Sequence, residues 1–156
     1  WFALQSADLM ARVDPKTGVV DEFEIPVEGI VYPRRMDTDS EGNVWVALWR
    51  AGKPMKIDQH TAEMTIFDAP TPYNGAYSVS IDQRNDLIWV TLHRVDKIAR
   101  FNPKTNQWVE FPLPQAETDV RRIELEQNNP NLVWWSSSDG AGVARIGFIE
   151  LLDHEM

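Results

Sequence analysis

The chain of 156 residues is 43% hydrophobic and 25% charged, enough apolar material for a sizeable buried core. A net charge of -9 with no lysine-rich run argues against nucleic acid or an anionic membrane surface as the main partner, and no apolar run approaches the roughly 20 residues that span a bilayer. The absence of cysteine excludes disulfides, thiolate metal sites and a cysteine nucleophile.

Trp1 opens the chain, followed by RVDPKTGVVDEFEIP (Arg12–Pro26), which reads as a short strand, a proline-started turn and an alternating strand through Phe23. Next come RRMDTD (Arg34–Asp39), the turn DSEGN (Asp39–Asn43) and the β-branched and aromatic run NVWVAL (Asn43–Leu48). The same line is then written again. KIDQHTAEMTIFDAP (Lys56–Pro70) answers the first turn, YSVSID (Tyr77–Asp82) answers RRMDTD, and LIWVTL (Leu87–Leu92) follows the turn DQRND (Asp82–Asp86). A third pass gives RFNPKTNQWVEFPLP (Arg100–Pro114), RRIELE (Arg121–Glu126) and LVWWSS (Leu132–Ser137).

Subtraction fixes the period. Trp1, Trp45, Trp89 and Trp134 are separated by 44, 44 and 45 residues, as are Arg12, Lys56, Arg100 and Arg145. Phe23, Phe67 and Phe111 keep a third register. The copies run 1–44, 45–88, 89–133 and, in part, 134–156; with the signature tryptophan at position 1, the chain is expected to start inside a structural unit. Each copy predicts four short strands, and no segment shows a sustained helical period with caps. A four-stranded unit of this length is one β-propeller blade, so the expected fold is all-β, a single partial propeller domain over 1–156 with about three and a half blades. One blade cannot cover both its faces. The repeated Trp and Phe positions are therefore expected to pack blade on blade, with missing sequence or another copy of the chain closing the ring.

The motifs WFALQSADLMARVDPKTGVVDEFEIP, WVTLHRVDKIARFNPKTNQWVEFPLP and DTDSEGNVWVAL together resemble the virginiamycin B lyase (streptogramin lyase) type of β-propeller over nearly the whole chain. The resemblance implies a seven-bladed ring and magnesium-assisted opening of a cyclic depsipeptide or lactone by carbon–oxygen elimination. It also implies a catalytic histidine and a metal-binding acid at one mouth of the channel, from the start of the inner strand and the end of the Trp strand. At the first place the chain reads Arg34-Arg35-Met36, Tyr77-Ser78-Val79 and Arg121-Arg122-Ile123, with no histidine. At the second it reads Ala47-Leu48-Trp49, Thr91-Leu92-His93 and Ser136-Ser137-Ser138, with no acid.

His93 is then the candidate general base, and Asp37 and Glu124 are the candidate acids for a magnesium ion. His60 falls in a turn where the other copies have Lys16 and Lys104, and His154 in a C-terminal tail; neither is given a role. Alternation along the inner strands predicts a packed face of Met36, Val79 and Ile123 with Thr38, Ile81 and Leu125. It sets Arg35 beside Asp37 and Arg122 beside Glu124, charges expected to be paired or near water. The alternative to a lyase is a non-catalytic binding or sensing propeller. Its ligand, a small molecule or cyclic peptide, would meet an anion-binding mouth of Arg34, Arg35, Tyr77, Arg121 and Arg122 walled by Trp49 and His93.

Overall fold

Four antiparallel sheets follow one another along the chain in a computed structural model, which describes residues 1–126, 128–129, 131–138 and 144–152. The first holds β1 (Phe2–Leu4), β2 (Leu9–Val13) and β3 (Val20–Glu24). The second holds β4 (Pro33–Thr38), β5 (Val44–Leu48), β6 (Lys53–Ile57) and β7 (Met64–Ile66). The third holds β8 (Ala76–Asp82), β9 (Leu87–Leu92), β10 (Lys97–Asn102) and β11 (Gln107–Pro112), and the fourth β12 (Val120–Leu125), β13 (Leu132–Ser137) and β14 (Ile146–Glu150). Each sheet is a meander in chain order, and the only helical element among the described residues is a single 3-10 turn at Gln5–Ala7. This is the partial β-propeller that the repeat predicts. Sheets two and three carry the expected four strands; the first and last carry three among the described residues. Each inner strand comes from the end of one sequence copy and the strands that follow it in its sheet from the next.

The recurring turns form for a local reason. Asp14 accepts the Lys16 amide at 2.8 Å, Asp58 accepts those of His60 and Thr61 at 2.8 Å each, and Asn102 accepts that of Lys104 at 2.9 Å. The first residue of each turn thus caps the backbone that reverses the chain. Each turn then needs one left-handed residue, supplied by Gly18, Ala62 and Asn106. His60 is exposed in the second turn, and His154 lies outside the described residues.

The tryptophan of each sheet seats on the sheet that follows. Trp45 stacks on Phe67 at 5.2 Å and meets Phe101 of the third sheet edge-on at 6.2 Å, in a cluster with Val79, Ile81 and Val90. Trp89 stacks on Phe111 at 5.4 Å and joins Ile123, Val133 and Trp135 of the fourth sheet. Trp1 meets Phe23 at 5.3 Å and packs on Val44, Val46 and Leu48. Trp45 and Trp89 are each 1% exposed, whereas Trp134, on the open face of the last sheet, is 38% exposed beside Phe148.

The inner strands β4, β8 and β12 stand side by side and line a concave cavity of about 430 Å³. Each has a break in register near its start, between Pro33 and Met36, Ala76 and Val79, and Val120 and Arg122. Such bulges reset the alternation, so strict period-two reading fails at the mouth. Met36, Val79, Ile81, Ile123 and Leu125 pack inward as expected, but Thr38 is exposed.

Candidate functional site at the channel mouth

The bulges place Arg34, Tyr77 and Arg121 at the same end of the three inner strands, where the Trp strands deliver Trp49 and His93. The Arg34 guanidinium carbon lies 4.2 Å from the centre of the Tyr77 ring and 5.5 Å from that of Trp49. Its Nη1 donates to Gln5 Oε1 at 2.6 Å and its Nη2 to the Tyr77 hydroxyl. No carboxylate neutralises it among the described ion pairs, so Arg34 is held in place while its positive charge stays available.

Trp49, Tyr77 and His93 form a mutually touching aromatic wall, with ring centres 5.2 to 6.2 Å apart. His93 Nδ1 lies 2.7 Å from Asp119 Oδ1, without the alignment of a directed hydrogen bond. The other carboxylate oxygen of Asp119 takes Arg121 Nη2 at 2.6 Å. Burial holds the pKa of His93 below its ordinary value; Asp119 pulls the other way, while the charges of Arg121 and Arg94 push it down further. The imidazole is therefore neutral at pH 7. The hydrogen bond that Arg121 donates to Asp119 in turn raises Arg121 above the usual arginine value.

Of the remaining residues expected at the site, Arg35 is exposed on the cavity wall without an ion pair among the described residues, and Arg122 is paired with Glu124 through Nε at 2.7 Å. Asp37 does not pair with Arg35. Its Oδ2 crosses to the neighbouring sheet to accept the Ile81 amide at 2.9 Å, and its Oδ1 accepts the Thr38 amide at 2.8 Å. Arg35 instead stays in water, the cheaper option for a charge on an open wall. Asp37 and Glu124 make a poor cradle for a divalent cation: both Asp37 oxygens already accept amides, and Glu124 carries a guanidinium. Among the described residues no group of three or more His, Asp or Glu side chains is placed to hold a metal ion.

The channel is electrically polar along its axis. At the far end, Asp37, Asp82, Glu124 and Glu126 with Arg84 line a second cavity of about 440 Å³. A small anion thus meets the arginine mouth first and a carboxylate-rich interior beyond it. Gln5 and Asp119 were not foreseen as site residues. Asp119 corresponds to Tyr32 and Gly75, all three with left-handed backbone (φ 50, 56 and 63°), a shared conformation written with three unrelated residue types.

No family model matches the sequence, and no curated protein matches it. Solved structures do. A virginiamycin B lyase from Staphylococcus aureus superimposes with a TM-score of 0.78 at 15% identity, covering 94% of this chain and 50% of that one. A streptogramin B lyase structure matches with a TM-score of 0.78 at 22% identity, covering 94% and 49%. The hydrazine synthase of Kuenenia stuttgartiensis matches with a TM-score of 0.78 at 13% identity, covering 94% and 41%. At these identities the likeness establishes the propeller fold, and the chain spans about half the length of the lyase structures it matches.

Proposed function

We propose that this chain is a ligand-binding propeller segment whose arginine and aromatic mouth takes a small organic anion. The observation that carries the reading is Arg34: a guanidinium fixed by Gln5 and Tyr77, set against an aromatic wall and without a carboxylate partner among the described residues. A fixed fork of donors loses little freedom on meeting a carboxylate or phosphate. Exposed Arg35 adds a second charge on the same wall, which Gln5 and Tyr77 also line. Binding by this route needs no magnesium. Calorimetric titration with citrate tests it: the wild type binds with or without magnesium, and Arg34→Ala weakens binding at least tenfold. Equal affinity in the variant would remove the mouth as the site.

A second reading is favoured by the His93–Asp119 contact. A neutral imidazole beside a carboxylate is in the right state to take a proton from the carbon next to a carbonyl. In an elimination that proton goes to His93 while the carbon–oxygen bond breaks and its electrons leave with the oxygen. Against this stands the 11% exposure of the His93 side chain, which leaves a substrate little access. Incubation with virginiamycin B and magnesium, followed by mass analysis for the linear product, separates the readings. No product is expected. Turnover that His93→Ala abolishes would put the catalytic reading first.

A further inference from the structure

The three seams between successive sheets are built to one plan, and one departs from it. Positions 8, 52 and 96 hold equivalent left-handed turns, with φ of 56, 68 and 53° at Asp8, Gly52 and Asp96. In the first seam Asp8 Oδ1 accepts the Val31 and Tyr32 amides at 3.2 and 2.6 Å. In the third, Asp96 accepts those of Glu117 and Thr118 at 2.9 and 2.7 Å. A carboxylate thus closes each of these seams. Gly52 has no side chain to do this, and Asn74 reaches across instead, its Nδ2 donating to Gly52 O at 3.0 Å and Thr71 O at 2.8 Å. Asn74 is 2% exposed, yet its Oδ1 has no partner. The exchange removes an anion and leaves an unused acceptor.

Asn74 lines a crevice of about 320 Å³ together with Arg50, Lys53 and Arg94 and one carboxylate, Asp68, which Lys53 pairs at 2.7 Å, so the wall is cationic on balance. Arg50 and Arg94 stand 4.7 and 5.0 Å from the centre of the Trp49 ring, both exposed, and neither is within ion-pair distance of a carboxylate among the described residues. Tyr73, 89% exposed on a left-handed turn, holds its ring up at the rim. None of these residues lines the channel cavities.

We propose that the crevice between the second and third sheets is a binding site for an acidic saccharide, separate from the channel mouth. The chemistry matches group by group. A uronate carboxylate suits the two exposed guanidiniums, and the C–H face of a pyranose suits the exposed tyrosine ring. An Asp at position 52, as in the sister seams, would repel such a ligand; Gly52 does not.

The test is calorimetric titration of the chain with trigalacturonate, its methyl ester and inorganic sulfate. The trisaccharide is expected to bind, its uncharged ester at least tenfold more weakly. Arg50→Ala/Arg94→Ala, which alters exposed side chains only, should lose at least tenfold in affinity with an unchanged melting temperature, and Tyr73→Ala several-fold. Arg34→Ala should weaken citrate binding at the mouth at least tenfold and leave the saccharide curve in place, so the two sites fail separately. The proposal is overturned if the trisaccharide does not bind at millimolar concentration, if ester or sulfate binds equally well, or if the double variant binds as the wild type does.

Discussion

The seam between the second and third sheets and the open face of the fourth carry a tryptophan in the same register, in different environments. Trp45 is buried to 1% exposure between Phe67 and Phe101, while Trp134 stands at 38% exposure with Phe148 at ring distance. One sequence signal therefore has two energetic meanings, decided by whether another sheet follows. The repeat specifies a face; its neighbour turns that face into a core.

The largest expected effect tests this contrast. Trp45→Ala removes a buried indole and leaves Asp39 without the donor that reaches it at 3.0 Å, and should cost about 3–5 kcal/mol in urea denaturation. Trp134→Ala should cost about 1 kcal/mol or less, because water already reaches much of that ring. Equal losses would mean that the open face is covered in solution, and the contrast would fall.

The polar side of the covered seam ranks next. Glu110 on β11 accepts the Thr71 amide at 3.1 Å and hydroxyl at 2.7 Å and takes Lys97 Nζ at 2.6 Å, tying the third sheet to the loop that leads into it. Burial alone would raise the Glu110 pKa, but the hydrogen bonds from Lys97 and Thr71 outweigh it and the net direction is down. Glu110→Gln should cost about 2 kcal/mol, the scale of hydrogen bonds to a charged group. The folded pKa is below the unfolded one, so this stabilisation is present above about pH 4.5 and fades as pH falls through the folded value. A melting-temperature series in acid, flatter for the variant, checks the sign.

The fold was legible in the sequence because the seams need bulky aromatics at one spacing, and Trp45, Trp89 and Phe111 advertise that need directly. The mouth was legible in part. Arg34, Tyr77, Arg121, Trp49 and His93 do converge, since equivalent positions of stacked sheets must lie at one height. The pairing along the strand was not, because the bulge after Pro33 shifts phase and the Ile81 amide claims Asp37. Asp119 escaped because a left-handed turn is a backbone requirement that Tyr32, Gly75 and Asp119 meet with unrelated side chains. Arg50 and Arg94 escaped as well: they lie in the variable loops, where the repeat gives no instruction.

A smaller effect, with opposite sign, comes from the outer rim, where neither seam nor open face reaches. Ala62 holds the left-handed turn at φ 61° that Gly18 holds at 73° in the first copy. An L residue with a Cβ pays for that conformation, so Ala62→Gly should stabilise by about 1 kcal/mol, with the gain in unfolded-chain entropy offsetting part of it. The same gain in a Trp134→Ala background would show that rim and face act independently.

The smallest effect, a slope rather than a step, separates the third seam from both. His93 sits where the third sheet meets the fourth, facing Asp119 and Arg121 across the seam and Arg94 beside it. Burial, the dominant cause, lowers its folded pKa below 6.5, so in mildly acid solution the unfolded chain takes up a proton that the folded chain refuses. Stability should be full above about pH 6.5 and fall as pH drops below it. His93→Gln keeps a polar ring-sized group without the titration and should flatten the melting-temperature profile between about pH 6.5 and 5. Asp119→Asn should steepen it, because the carboxylate is the neighbour that most favours the charged imidazole, ahead of the Val120 backbone. If Asp119→Asn flattened the profile instead, the ion pair rather than burial would govern His93, and the third seam would be held by charge where the second is held by packing.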